Sequence, residues 1–224
     1  MRIEPLGDSA LLVRLVEESD PDESLEAVLR ATDALKVVAG VCELVPAYTT
    51  IGVFFEPGRA AVETLKTEIE RAIDALEPAR PRAETAAFID VPVCYEPEFA
   101  LDLDLVAQHT GLSPDEIIAR HSGAGYRVNC VGFTPGFPYL SGLPAELATP
   151  RRDSPRKEIP AGAVAIGGTQ TGIYPRKSPG GWNIIGRTPL RLFDVERDPP
   201  ALFQAGDRVR FRRIPRDEFE EMSR

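Results

Sequence analysis

Residues able to bind a small polar molecule are concentrated in one segment, residues 167–189, which reads GGTQTGIYPRKSPGGWNIIGRTP. Hydroxyl and amide groups here can donate and accept hydrogen bonds, cationic side chains add positive charge, and glycines let the main chain approach a ligand closely. This combination suits a small polar or anionic ligand. Tightly wound barrel corners would use the same residue types, so a structural role stays open. The candidate substrate-binding residues are Gln170, Thr171, Tyr174, Arg176, Ser178 and Trp182.

A second candidate segment, residues 132–144, reads GFTPGFPYLSGLP and alternates prolines and glycines with aromatic residues. Proline removes main-chain donors and glycine adopts angles that other residues avoid, so the pattern predicts a rigid, aromatic-lined loop instead of a strand or helix. Thr134, Phe137 and Tyr139 are the candidate ligand contacts in this loop. Packing of the aromatic rings against the rest of the domain would explain the same pattern.

One histidine could carry protons near neutral pH. His121 precedes Ser122 and Gly123 shortly before the aromatic segment, and it is the candidate catalytic residue. A histidine that only satisfies carbonyl groups at the end of a helix would occupy the same position. Near both segments the carboxylates are limited to Asp153 and Glu158, so the sequence displays no complete catalytic constellation.

Charge is distributed unevenly along the 224 residues, whose net charge is −9. Residues 1–96 hold 9 Lys/Arg against 19 Asp/Glu, whereas residues 97–224 hold 17 against 16. Within residues 147–191, eight cationic residues face two acidic ones, which favours an anionic ligand or an acidic protein surface there. A solvated basic face is the alternative. The acidic composition and the lack of a recognised motif argue against nucleic acid as a partner.

The first part of the chain predicts a ferredoxin-like α+β domain, because its apolar residues alternate between strand and helix periods. The predicted order is β-α-β-β-α-β, with a domain boundary near residue 96 and a proline-rich connector at residues 78–84. The predicted strands are 10–15, 42–45, 50–55 and 87–95, and the predicted helices are 22–38 and 62–76.

Residues 97–224 predict a β-barrel domain that begins with two short helices. The first covers about residues 101–110, and the second starts at Ser113, where the sequence SPDE is typical of a capping box. Short β-prone pieces separated by glycine and proline turns follow. These pieces are residues 126–133, 163–168, 182–186, 189–194 and 207–214.

Several well-known functional sequence motifs are missing from the sequence. It contains no phosphate-binding loop, dinucleotide fingerprint, nucleophile elbow or zinc-binding helix motif, and two histidines are too few for a multi-histidine metal site. We therefore expect no metal-ligating residues in this chain. Three widely spaced cysteines, no membrane-length apolar run and no signal-like N-terminus predict a cytoplasmic protein.

The two glycine-rich segments, together with residues 7–15 (GDSALLVRL) and 120–128 (RHSGAGYRV), closely resemble one family. It contains KipI, the B subunit of the bacterial ATP-dependent 5-oxoprolinase (PxpB), and allophanate hydrolase subunit 1. The resemblance covers nearly the whole chain. It implies an N-terminal α+β domain, residues 1–96, and a C-terminal cyclophilin-like β-barrel, residues 97–224.

The resemblance also implies an activity shared with other subunits. The expected partners are a KipA-like subunit (PxpC) and the large A subunit of 5-oxoprolinase (PxpA), and the assembled complex would open the lactam of 5-oxo-L-proline to L-glutamate. ATP, with Mg²⁺, is the expected cofactor because lactam hydrolysis needs coupling. The alternative within the family is a KipI-like inhibitor that binds a sensor histidine kinase and requires no enzyme chemistry.

Overall fold

The computed structural model describes residues 1–15, 21–58, 61–77 and 87–224. The predicted connector at residues 78–84 lies outside these ranges. The chain divides into two compact units, Met1–Thr85 and Ala86–Arg224. Among the described residues, no helix is both long enough and apolar enough to cross a membrane.

In its described residues, the first unit is an antiparallel four-stranded sheet with two helices, and its strands lie in the order β1-β2-β4-β3. Apolar side chains of both helices, among them Val28 and Leu65, share one core with the inward side chains of the sheet. The elements are β1 (Arg2–Pro5), β2 (Ala10–Arg14), α1 (Pro21–Leu35), β3 (Val41–Ala47), β4 (Thr50–Phe55) and α2 (Val62–Asp74). Pro46 fits within β3 because β3 is an edge strand, where a missing N–H donor is tolerated.

This arrangement differs from the predicted ferredoxin-like pattern. The strand predicted to complete the first sheet, β5 (Ile89–Val93), instead pairs in parallel with β13 (Arg208–Arg213) in the second unit. The unpredicted strand β1 occupies the edge beside β2. The division between the units accordingly falls between residues 85 and 86, before β5, and not near residue 96.

The second unit consists of a seven-stranded sheet, a two-stranded sheet and three α-helices. A capping box at Ser113 starts the second of these helices, as the sequence predicts. After β5, the elements are α3 (Leu103–Thr110), α4 (Pro114–Gly123), β6 (Gly125–Val131), β7 (Pro138–Ser141), a 3-10 turn (Ala145–Leu147), β8 (Arg156–Ile159), β9 (Ala163–Gly167), β10 (Gln170–Ile173), β11 (Ser178–Gly180), β12 (Asn183–Arg187), β13 and α5 (Arg216–Met222).

The seven-stranded sheet curls into a nearly closed barrel. Its order is β12-β9-β10-β7-β6-β13-β5, so β12 and β5 are the two ends of the sheet. These ends meet where Cys94 and Arg187 exchange main-chain hydrogen bonds of 2.8 and 2.9 Å. The predicted β-barrel is thereby confirmed, and the arrangement is consistent with a cyclophilin-like barrel.

Some local predictions for this unit were wrong. Residues 189–194 form no strand, and Phe193 makes only an isolated bridge to Ala201. The segment predicted as a rigid loop contains strand β7, because Pro138 occupies the first strand position. The short strands β8, β10 and β11 and the C-terminal helix α5 were not predicted.

Side chains of the barrel strands alternate between two apolar layers. Val164 and Ile166 of β9 belong to the barrel interior with Leu140 and Phe211, whereas Ala165 belongs to a separate aromatic cluster. Because successive strand residues point to opposite faces, β7, β9 and β12 contribute side chains to both layers. This alternation decides which candidate residues can meet.

Candidate functional site

Most of the predicted aromatic contacts lie in one cluster on the outer face of β7, β9, β10 and β12. The ring of Phe137 lies 5.1 Å from that of Tyr174 and 5.6 Å from that of Trp182, in both cases edge to face. Tyr139 completes the group, 4.9 Å from Phe137 and 5.8 Å from Trp182. Edge-to-face geometry is favourable for aromatic pairs. Phe137, Tyr174 and Trp182 are buried in this cluster, so their main role here is packing, and ligand contact by these rings stays a prediction.

Glycines make room for this cluster. A side chain at Gly172 would begin 2.9 Å from the Phe137 ring and 3.0 Å from the Trp182 ring. A side chain at Gly180 would begin 2.3 Å from the Tyr174 hydroxyl oxygen. The glycines therefore allow the aromatic rings to pack directly on the strands.

Two hydroxyl groups near the cluster have unused hydrogen-bonding capacity. The side-chain oxygens of Thr134 and Ser178 are buried and have no partner among the described residues. Beside Thr134, Phe133 is 61% exposed and has a φ of 64°, and its ring lies 6.4 Å from that of Tyr174. Unsatisfied buried hydroxyls are costly, so these two are the predicted contacts best suited to accept a polar ligand.

Thr171 and His121 lie on the opposite side of the barrel wall, in its interior. Both are completely buried. His121 Nε2 is 3.1 Å from Thr171 Oγ1, and His121 Nδ1 is 2.9 Å from the Tyr95 hydroxyl. The barrel register thus separates these two predicted site residues from the aromatic cluster.

This interior chain fixes the protonation of His121. The Thr171 hydroxyl donates to the Ala165 carbonyl oxygen, so Thr171 Oγ1 accepts the N–H of His121 Nε2. Nδ1 then accepts the Tyr95 hydroxyl proton. Burial lowers the pKa of His121 to about 3, which keeps the imidazole neutral. With both ring nitrogens satisfied, His121 is positioned as a core residue, and its place in the interior does not support the predicted proton-carrier role.

The remaining predicted contacts lie on exposed or partly exposed positions. Arg176 is exposed and makes no ion pair within the described ranges. Gln170 is half-buried at the start of β10, opposite Gly167 of β9. Both are placed where a partner or ligand could contact them.

A buried ionic cluster was not foreseen. Asp102, at the start of α3, has a side chain only 3% exposed and accepts hydrogen bonds from Arg152 at 2.7 Å and from Arg156 at 2.6 and 2.8 Å. It also accepts the Ile184 N–H at 2.7 Å. The sequence placed both arginines in a stretch of net positive charge and did not indicate Asp102 as their partner. Sequence separations of 50 to 82 residues hide such pairing from local patterns.

The second unit also contains a cavity of about 340 Å³ beside α3 and α4. It is lined by Tyr95 and by apolar residues such as Leu103 and Ile118. Acidic side chains, Asp104 among them, lie at the same cavity, which therefore differs in charge from the basic stretch. No sequence pattern indicated it.

The comparisons with known proteins agree on one family. Residues 1–203 match the family model described as carboxyltransferase domain, subdomain C and D. The chain belongs to this family. A protein of Bacillus subtilis (strain 168), named as the B subunit of 5-oxoprolinase, is 39% identical over 97% of this chain and 95% of its own length. One of Escherichia coli O157:H7 with the same name is 41% identical over 95% of each chain.

Two solved structures have the same fold as this chain. The structure of TTHA0988 matches 92% of this chain with a TM-score of 0.79 and 36% identity, and this chain spans 40% of its length. Kluyveromyces lactis urea carboxylase matches 98% of this chain with a TM-score of 0.79. At 19% identity, the latter likeness supports the fold alone. The resemblance to the family of 5-oxoprolinase B subunits is confirmed by the curated relatives.

Proposed function

We propose that the chain is the B subunit of an ATP-dependent 5-oxoprolinase complex, which hydrolyses 5-oxo-L-proline to L-glutamate with cleavage of ATP. The observation that carries this proposal is the near-full-length similarity to proteins named as 5-oxoprolinase B subunits, at 39 and 41% identity. A protein so named works with other subunits. We take these to be a KipA-like subunit (PxpC) and the large A subunit (PxpA).

In this proposal the chain contributes binding groups instead of a complete catalytic centre. Thr134 and Ser178 have buried hydroxyl oxygens without partners among the described residues, and Arg176 has an exposed cation close in sequence to Ser178. Such groups can orient a small carboxylic acid through hydrogen bonds and charge. The base that activates water comes from another subunit, because His121 is buried and its ring nitrogens are both occupied.

We assign the ATP and Mg²⁺ sites to a partner protein. The sequence has no phosphate-binding loop. In the described ranges, no group of three or more His, Cys, Asp or Glu residues is arranged to hold a metal ion. These residues do not fit a Mg–ATP site.

Reconstitution tests the proposal. The chain is co-expressed with its KipA-like and PxpA-like neighbours, and glutamate release from 5-oxo-L-proline is measured with and without ATP. We expect ATP-dependent release only when all three chains are present, and no release from this chain alone. Full activity of the other two proteins without this chain would overturn the proposal.

A further inference from the structure

The ionic cluster around Asp102 carries more positive than negative charge. Two guanidinium groups, those of Arg152 and Arg156, share one carboxylate, which gives a formal net charge of +1. The two arginine side chains are 27 and 24% exposed, so the cluster is largely shielded from water yet reachable from it. An uncompensated charge in such a place favours a bound counterion.

The carboxylate of Asp102 has no capacity left to balance the second arginine. Its two oxygens already accept four hydrogen bonds, three from the arginines and one from the Ile184 N–H. An ionised carboxylate offers about four acceptor positions. On the donor side, Arg152 Nε is buried and has no partner among the described residues. The cluster thus combines a saturated acceptor with an unsatisfied cationic donor.

Neighbouring groups add to the positive character of this place. The guanidinium carbon of Arg151 lies 5.6 Å from the centre of the Trp182 ring, and Arg151 makes no ion pair in the described part of the chain. The main-chain N–H of Arg152 donates to the Gly181 carbonyl oxygen at 2.8 Å. The arginines are therefore connected directly to the segment that holds Trp182.

We infer that Arg152 and Arg156, held by Asp102 and flanked by Arg151, form a binding site for the carboxylate group of a small acid. A guanidinium group has five N–H donors in one plane, and Asp102 uses one of Arg152 and two of Arg156, so the Nε edge of each group is left to donate to a second carboxylate. The site does not depend on the proposed function; only the choice of 5-oxo-L-proline as one probe rests on it.

Trp182 is the only tryptophan in the chain, so its fluorescence reports on this place. The purified chain is titrated at constant ionic strength with acetate, 5-oxo-L-proline, 2-pyrrolidinone and inorganic phosphate. We expect saturable changes with acetate and 5-oxo-L-proline but none with 2-pyrrolidinone, which has the lactam without the carboxylate. An absent response, an equal response to 2-pyrrolidinone, or a response to phosphate alone would overturn the assignment.

Variants of adjacent residues provide the matched control. Arg156→Gln should weaken acetate binding about 10- to 100-fold, because it removes a charge-assisted contact. Lys157→Gln removes the same charge from the next residue of β8, whose side chain points to the other face, and should change binding less than about twofold. Equal effects of the two variants would contradict the site.

Additional variants separate loss of binding from loss of folding. Arg156→Lys keeps the positive charge but lacks the planar fork, so it should bind acetate more weakly than the wild type while remaining folded by circular dichroism. If Arg156→Gln does not fold, acetate binding is measured with Arg152→Gln instead, and the same weakening is expected. Unchanged acetate affinity in a folded variant of either arginine would refute the inference. If acetate binds and 5-oxo-L-proline does not, the site stands and the proposed function loses support.

Discussion

The Asp102 carboxylate accepts the main-chain N–H of Ile184 at 2.7 Å, and the Asp102 main-chain N–H donates to the Ile184 carbonyl oxygen at 2.8 Å. Ile184 belongs to β12, which is one end of the barrel sheet. The exchange therefore continues the seam that Cys94 and Arg187 close further along β12. One residue at the start of α3 joins this seam to the two arginines.

Removal of the Asp102 carboxylate should destabilise the second unit strongly. Asp102→Ala leaves the Ile184 N–H and two guanidinium groups without their acceptor. We expect a loss of about 3 kcal/mol in the free energy of unfolding, the low end for a broken buried ion pair, because both arginines are partly exposed. Urea denaturation measures it. Asp104→Ala, on the exposed side of the same helix, is the control and should change stability by less than about 0.5 kcal/mol.

The buried His121 should make stability depend on pH. Its pKa is about 3 in the folded protein, against an ordinary value of 6.5, so below pH 6.5 the unfolded chain binds a proton that the folded chain does not. The stability that the neutral, buried His121 contributes is fully present above pH 6.5. As the pH falls below 6.5, the free energy of unfolding decreases by about 1.4 kcal/mol per pH unit. From about pH 7 to pH 5, the wild type should lose about 2 kcal/mol more than His121→Gln. Parallel urea-denaturation profiles of the two proteins would show that this histidine is not responsible.

The hydroxyl group of Thr171 should contribute more to the stability of the protein than its methyl group. Thr171→Val keeps the shape but leaves the buried His121 Nε2 proton without its acceptor, at a cost of about 1 to 3 kcal/mol. Thr171→Ser keeps the hydroxyl and should cost about 1 kcal/mol or less for the lost methyl group. Thermal unfolding compares the two. A larger loss with serine than with valine would contradict the interior hydrogen-bond chain.

Substitution by alanine should affect stability very differently at the two neighbouring glycines, Gly180 and Gly181. A Cβ at Gly180 would meet the Tyr174 hydroxyl at 2.3 Å and Ile159 at 2.7 Å, whereas at Gly181 the closest atom is 3.7 Å away. We expect Gly180→Ala to cost about 1 to 3 kcal/mol through overpacking. Gly181→Ala should be close to neutral. Similar unfolding midpoints in urea would mean that the aromatic cluster is loosely packed.

The sequence predicted the elements whose signals are local. The capping residues at Ser113 and the apolar stripe of α2 depend on spacings of three and four residues, and both helices are present. Strands β8, β10 and β11 contain only three or four residues each, so their periodicity is too short to detect. The position of β5 could not be predicted, because its partner β13 lies more than one hundred residues later in the chain.

The sequence predicted the candidate site as one set of residues. It did not predict that the barrel wall divides this set between the interior and the outer aromatic cluster. Thr171 and Gly172 are adjacent, yet the former faces His121 and the latter faces Phe137 and Trp182. Only the barrel register, which pairs Thr171 with Leu140, decides which face each one takes. Composition alone therefore could not separate residues that face the aromatic cluster from residues that face the barrel interior.

Arg176 tests the proposed function apart from stability. It is exposed without an ion pair in the described ranges, so Arg176→Ala should change the free energy of unfolding by less than about 0.5 kcal/mol. If its guanidinium contacts the substrate carboxylate or a partner protein, kcat/KM of the reconstituted complex should fall about 10- to 100-fold. Lys177→Ala is the control, because Lys177 already pairs with Glu158 and should change kcat/KM by less than about twofold. Full activity of Arg176→Ala would remove Arg176 from the site, and a large loss of stability would instead assign it a structural role.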